Sequence, residues 1–326
     1  PKPEIDPASA NRVTLFLNTA VLQGFHLSTI KNTDMQLLTP THFSEYELID
    51  SGGFEKLERF GKYVLIRPEP QAIWNRSMSE AEWEKMSSAA FKLDKNDTEK
   101  GRWILKKGMP EQWKINYAYR QMSFTVRLGL TSFRHIGVFP EQAPNWDFIY
   151  DKITTENQPA SKVLNLFAYT GAASLAARAA GAAVVHVDSV KPVITWAREN
   201  MESSQLTDIR WVVEDALKFV QREVRRGNTY SGIILDPPAY GRGADGEKWI
   251  LDDNLNEMIQ LCSKLLNPEK SFLILNMYSI GFSALVGNNL VNSYFNRGDD
   301  NEFGELYLSD RFGKKLPLGT FLRFSR

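Results

Sequence analysis

Five short apolar runs recur between residues 161 and 278, at 163–167, 183–187, 210–213, 232–235 and 272–275, and the stretches between them carry helical spacing. A strand covered on both faces reads as a continuous apolar run, and a helix that returns the chain forces the next strand to lie parallel through a right-handed crossover. This alternation predicts an α/β fold built on a doubly wound sheet. Two later runs, 304–308 and 319–324, flank a charged turn and are expected to form a hairpin closing the sheet edge.

Upstream the pattern differs. Segments 63–67, 113–119 and 122–130 are rich in β-branched and aromatic residues and are separated by Gly, Pro, Asp and Ser. They predict a smaller, largely antiparallel β domain, with a helix over 79–91 capped by Ser79 and carrying Glu80 and Glu82 in its first turn. Composition shifts once, near residues 134–160, so the expected division is an N-terminal domain over 1–133 and a second domain over 134–326.

Bulk properties exclude several classes. No run approaches the roughly 20 apolar residues of a membrane span, and the first twenty residues lack the charged-then-apolar order of a leader, so a cytoplasmic protein without membrane contact is expected. Cys262 is the only cysteine, which rules out an internal disulfide, and His26, His42, His135 and His186 show no ligand spacing, so no metal is expected. Lys+Arg and Asp+Glu balance at 39 each, and any nucleic-acid contact must therefore be local. Candidate basic clusters are Lys100, Arg102, Lys106 and Lys107, then Arg222, Arg225 and Arg226, then Lys314 and Lys315; each is equally readable as solvated surface.

In a doubly wound sheet the ligand sits at the carboxyl ends of the strands. The first run leads through Asn165 and Phe167 into Ala168-Tyr169-Thr170-Gly171-Ala172 and a helix of small residues closed by Gly181. One glycine in that turn, where a dinucleotide site wants G-x-G-x-x-G, suits a nucleoside ligand without a pyrophosphate. The second run ends at Asp188, seventeen residues past Gly171, where a carboxylate can reach ribose hydroxyls; Ser189 can cap the next helix. The third ends in Glu214-Asp215-Ala216, with Asp215 and the Ala216 amide facing an adenine. Asp188 and Asp215 could each instead be helix caps. The fourth ends in Asp236-Pro237-Pro238-Ala239-Tyr240: the prolines fix φ and offer carbonyls, Asp236 can bond an incoming amino group, and Tyr240 can stack on a base. Gly241, Gly243 and Gly246 make the following segment a candidate lid, with Arg242 in reach of a phosphate.

These motifs, over roughly residues 110–326, resemble those of class I S-adenosylmethionine-dependent methyltransferases, and more narrowly the bacterial 23S ribosomal RNA large-subunit methyltransferases. The resemblance implies a Rossmann-like methyltransferase sheet, S-adenosyl-L-methionine as cofactor and an RNA substrate. The segment 137–146 is similar to that family's extra cofactor-facing segment, which implies that Phe139, Gln142 and Trp146 line the pocket. Two departures stand out. Family members that methylate cytosine C5 carry a nucleophilic cysteine after the fifth strand, where this chain reads Asn276-Met277-Tyr278-Ser279, while Cys262 sits at a helical core position. Ala239 also separates the prolines from Tyr240, unlike the exocyclic amino methylases. The expected reaction is thus direct transfer to nitrogen or oxygen, with Asp236, Pro237, Pro238 and Tyr240 at the reacting centre. Protein or small-molecule acceptors, a nicotinamide enzyme of the same fold and a nucleoside binder without turnover are the competing readings.

Overall fold

The computed structural model describes residues 34–94, 100–155, 161–243, 246–278, 282–296 and 300–326. Residues 1–33, with His26 and the stretch read for a leader, lie outside the described residues, as do parts of the candidate lid and Ser279.

The strands run in chain order as β1 (Gln36–Leu38), β2 (Tyr46–Gly52), β3 (Glu55–Phe60), β4 (Tyr63–Pro68), β5 (Ala89–Leu93), β6 (Gly101–Leu105), β7 (Gln112–Tyr119) and β8 (Met122–Gly129). They continue as β9 (Lys162–Leu166), β10 (Ala183–Asp188), β11 (Ile209–Val213), β12 (Gly232–Leu235), β13 (Tyr240–Arg242), β14 (Lys248–Ile250), β15 (Phe272–Met277), β16 (Asp300–Ser309) and β17 (Lys315–Ser325). Strands β2 to β6 form one sheet in sequence order, antiparallel except between β4 and β5, and β7 with β8 forms a separate antiparallel ribbon. A smaller β-rich part ahead of the main sheet is thus present.

Helix α1 (Glu80–Met86) connects β4 to β5. Ser79 caps it through a capping box: its Oγ accepts from Glu82 N at 3.3 Å while the Glu82 carboxylate accepts from Ser79 N at 2.8 Å. The expected helix over 79–91 is too long. Ser87 turns to ψ 144° and donates its N–H back to Trp83 O, after which Phe91 enters β5 and is buried there. An extended partner strand outweighs the helical spacing of the apolar residues.

The main sheet has the order β1-β16-β17-β15-β12-β9-β10-β11. Strands β15, β12, β9, β10 and β11 are all parallel, as their largely apolar sequences lead one to expect, and the chain order reverses between β9 and β12. This is a doubly wound, Rossmann-like sheet. The connecting helices are α2 (Ala143–Thr155), which leads into β9, then α3 (Ala172–Ala179), α4 (Lys191–Ser203), α5 (Ala216–Arg225), α6 (Leu251–Leu265) and α7 (Ala284–Asn292). Strands β16 and β17 form the expected hairpin, but they do not close the edge: β1 pairs parallel to β16 outside them. A three-residue strand drawn from far upstream has no periodicity from which to foresee this.

Residues Asp34–Arg326 form one compact unit. A single core cluster joins Tyr117 and Phe124 of the β7–β8 ribbon to Trp146 of α2, Val163 of β9 and Leu175 of α3. The ribbon is also tied to α4, where Trp196 Nε1 donates to Arg127 O at 2.9 Å and Asn200 Oδ1 accepts from Arg127 N at 2.7 Å. The change of architecture near residue 134 is therefore one of strand pattern, with packing continuous across it. Among the described residues no helix is long and apolar enough to cross a membrane.

Candidate active site

The reversal of strand order between β9 and β12 leaves a crevice at their carboxyl ends, because the helices following the two strands leave on opposite faces. An open cavity of about 490 Å³ lies there. Ten of the sequence-derived candidates line it: Phe139, Gln142, Trp146, Asn165, Phe167, Ala168, Tyr169, Thr170, Gly171 and Asp236. They arrive from separate places in the chain: the single turn 140–142 and α2, the tip of β9, and the tip of β12.

The turn after β9 is tightly wound. Phe167, Tyr169 and Gly171 have φ of 56°, 49° and 90°, in the left-handed region where only the last residue is relaxed. Three bonds hold it. Asp188 Oδ2 accepts from Tyr169 N at 3.0 Å, Thr170 Oγ1 donates to Gly137 O at 2.6 Å, and Asn200 Nδ2 donates to Thr170 O at 2.9 Å. A Cβ on Gly171 would lie 3.2 Å from Ala197 Cβ and 3.4 Å from His186 Cε1. The glycine thus serves close helix packing as much as ligand approach. Beneath the turn, Asn165 Nδ2 donates to Ser174 Oγ at 2.9 Å, and Ser174 Oγ lies 3.0 Å from His186 Nδ1. Burial holds His186 down at about 3, so it stays neutral.

The remaining candidates lie outside the cavity lining. Asp188 Oδ1 accepts from Val190 N at 2.9 Å, in the turn ahead of α4, while burial pushes its carboxyl up. Ser189 does not cap that helix: the N-cap is Val190, and Ser189 Oγ donates instead to Arg242 O at 3.4 Å. Asp215 caps α5 by accepting from Lys218 N at 2.9 Å, Ala216 is the first helical residue, and Glu214 is ion-paired to Arg222. Tyr240 is exposed on β13, its hydroxyl accepting from Arg242 Nε at 3.0 Å. The segment expected to be a pliable lid contains a hairpin, because β13 pairs antiparallel with β14. Trp249 Nε1 also donates to Pro238 O at 2.7 Å, so the proline carbonyl anchors that hairpin and Pro237 is buried beneath it.

Asp236 is the strand-tip acid that lines the cleft. Its Oδ1 is buried without a hydrogen-bond partner, and burial together with the nearby Glu141 carboxylate pushes the group up to about 7. An orphaned acid is costly unless something brings it a donor or a positive charge. Five residues of the neighbouring polar network were not among the sequence candidates. Asn145 Nδ2 donates to Gln142 Oε1 at 2.9 Å and to Asn276 Oδ1 at 3.0 Å, Arg323 Nη1 donates to Asn145 Oδ1 at 3.3 Å, and the Tyr278 hydroxyl donates to the Glu141 carboxylate. The sequence signal for Glu141 and Asn145 was their place within 137–146; Tyr278 sits just beyond β15. Cys262 is buried in α6, its thiol pushed up by burial, and takes no part.

A switch-point crevice with one glycine, no pyrophosphate loop and a buried acid at the tip of β12 defines a nucleoside-dependent transferase of the doubly wound class. Residues 104–296 match the model of the S-adenosylmethionine-dependent methyltransferases. A solved S-adenosylmethionine-dependent methyltransferase from Agrobacterium tumefaciens is 39% identical and superposes with a TM-score of 0.81, over 89% of this chain and 93% of that one. The chain belongs to the S-adenosylmethionine-dependent methyltransferase family. A candidate methyltransferase, SMU.776, solved in complex with S-adenosylhomocysteine, shares the fold at 18% identity and a TM-score of 0.64, over 99% of this chain and 83% of that one. Among curated relatives, the ribosomal RNA large subunit methyltransferase K/L of Shewanella frigidimarina is 25% identical over 84% of this chain. The ribosomal RNA large subunit methyltransferase I of Salmonella arizonae is 28% identical over 47%. In both cases the match spans 38% of the relative's length.

The cofactor of the family is S-adenosyl-L-methionine, and the cleft suits it. The orphaned Asp236 oxygen faces a shortage of positive charge, which a sulfonium and an ammonium relieve, and Phe139, Phe167 and Tyr169 supply the apolar wall a nucleoside needs.

Proposed function

We propose that this protein methylates RNA, transferring the methyl group directly to a nitrogen or oxygen without a covalent enzyme intermediate. The observation that carries the reading is the buried, unpartnered Asp236 carboxylate at the tip of β12, in a cleft without a thiol. The RNA substrate is supported by the names of the curated relatives.

Bound in the cleft, S-adenosylmethionine supplies an electrophilic methyl. The chain's residues bind and orient. In this reading Asp236 accepts from a donor or pairs with a cation, Asp188 uses its remaining lone pairs for the ribose hydroxyls, and Asp215 with the Ala216 amide faces the adenine. Phe139, Gln142, Trp146 and the segment from Asn165 to Gly171 enclose the nucleoside, Ser189 and Glu214 border it, and Pro237 and Pro238 hold Asp236 rigid. Tyr240 offers its exposed ring to the approaching RNA. Holding acceptor and donor in line is the main source of acceleration, since such positioning contributes up to about 7–11 kcal/mol. Residues 1–133 act as a substrate-contact domain ahead of a catalytic domain over 134–326, and the work is done in the cytoplasm.

Nucleoside mass spectrometry of ribosomal and transfer RNA from cells with and without the gene tests this. One methylated nucleoside that vanishes on deletion and returns with the wild-type gene is expected; unchanged profiles in every RNA fraction would overturn it.

A further inference from the structure

A second cavity, of about 700 Å³, opens beside the cofactor cleft between the β2–β6 sheet and the main sheet. The two share a wall, Val138 and Phe139, and Glu141 and Tyr278 line the second directly behind it. Tyr278 packs its ring at 5.6 Å from that of Phe139. From the other side come Lys56, Arg67, Pro68, Pro70 and Gln71, and from the connection Arg134 and His135.

The charges in this chamber are unequally satisfied. Arg67 is spent on Glu58, donating from Nε at 2.8 Å and from Nη2 at 2.9 Å, and Lys56 pairs with Glu69 at 3.2 Å. The Arg134 guanidinium has no ion-pair partner among the described residues. The walls around it are flat and apolar, from Pro68, Pro70, Pro140 and Phe139, with Gln71 and Tyr278 as polar edges. Stacking faces, hydrogen-bonding edges and one uncommitted planar cation together match a nucleobase carrying a phosphate.

We infer that this second chamber is the acceptor pocket: it takes a splayed-out nucleotide, its base between the prolines and Phe139, its phosphate on Arg134, with the Gln71 and Tyr278 edges toward the base. The inference rests on the RNA reading for the identity of its occupant, though not for the location of the pocket. Sharing Val138 and Phe139 places the chamber next to the cofactor cleft. It also explains how a chain with no net charge can handle RNA: one directed cation in a shaped pocket replaces a broad basic face.

The test uses tritium-labelled S-adenosylmethionine and extract from a strain lacking the gene, with label counted separately in RNA, protein and small-molecule fractions. Three variants are compared with wild type: Gln71→Trp, which fills the chamber, Arg134→Ala and Arg134→Lys. S-adenosylhomocysteine affinity by calorimetry reports whether the cleft remains folded. Label in RNA is expected for wild type, at least about tenfold less for Gln71→Trp, and a raised KM with kcat retained for Arg134→Ala, with Arg134→Lys restoring most of it. All three should bind S-adenosylhomocysteine within about twofold of wild type. For a single phosphate contact to single-stranded RNA, Arg134→Ala should also flatten the slope of log affinity against log salt by about 0.7. Gln71→Trp labelling RNA at the wild-type rate would overturn the pocket and leave the RNA reading standing. Label in the protein or small-molecule fraction, abolished by Gln71→Trp, would instead overturn the RNA reading and the phosphate role of Arg134.

Discussion

Replacing Asp236 with asparagine should make the protein more stable and less active. The side chain is half-buried, its Oδ1 is enclosed and has no partner, and the group is raised from an ordinary 3.8 to about 7. Each pH unit of such a displacement corresponds to about 1.4 kcal/mol, so the folded state carries up to about 4 kcal/mol against ionising this one acid. Local relaxation reduces that, and a gain of about 1–3 kcal/mol is expected for Asp236→Asn at pH 8. The sign follows from linkage: between about pH 4 and pH 7 the folded protein holds a proton that the unfolded chain has lost. Stability of the wild type must therefore fall as pH rises through that window, relative to the variant. The advantage of Asp236→Asn should be near zero at pH 4, grow to pH 7 and stay constant above. Urea unfolding of both proteins from pH 4 to pH 8.5 measures it directly. Affinity for S-adenosylmethionine, a cation, should drop by about 10- to 100-fold, because the amide offers no charge to the ligand. Turnover should fall with it, as expected where an active-site group is kept at a cost in stability. A variant less stable than wild type at pH 8, or one with unchanged affinity, would refute this account of Asp236.

Two further substitutions probe the cleft's support. Thr170→Val leaves the Gly137 carbonyl without its 2.6 Å donor at a buried position, and a loss of about 1–3 kcal/mol in thermal or urea unfolding is expected, along with weaker S-adenosylhomocysteine binding in calorimetry. Cys262→Ala should retain full turnover, since the thiol is buried in α6 away from the cleft and held protonated; loss of activity at unchanged stability would point to a thiol-dependent reaction.

The parallel strands were legible in the sequence because burial on both faces leaves a mostly apolar run, as at Gly232–Leu235 and Phe272–Met277. The acids at strand tips were equally visible. What sequence could not resolve was which of them line the cleft: Asp188 accepts from Val190 N just ahead of α4, Asp215 caps α5, and of the three only Asp236 has an enclosed oxygen without a partner. Contacts between distant segments were out of reach. Asn145 meets Asn276 and Arg323 across more than 130 residues of chain, and β1 joins β16 with three residues and no pattern. The segment after Asp236 misled because its glycines suggest pliability, while Tyr240–Arg242 is in fact paired as a strand and pinned through Trp249.

Calorimetric titration of the wild-type protein with S-adenosylmethionine, S-adenosylhomocysteine and NAD at pH 8, repeated on Asp236→Asn, tests most directly whether the crevice between β9 and β12 is a methyl-donor site governed by its buried acid. One-to-one binding of the two sulfur nucleosides, no binding of NAD, and a loss on substitution that is larger for the cationic donor than for its demethylated product is the predicted result. Comparable affinity for NAD, or an equal loss for donor and product, would contradict it.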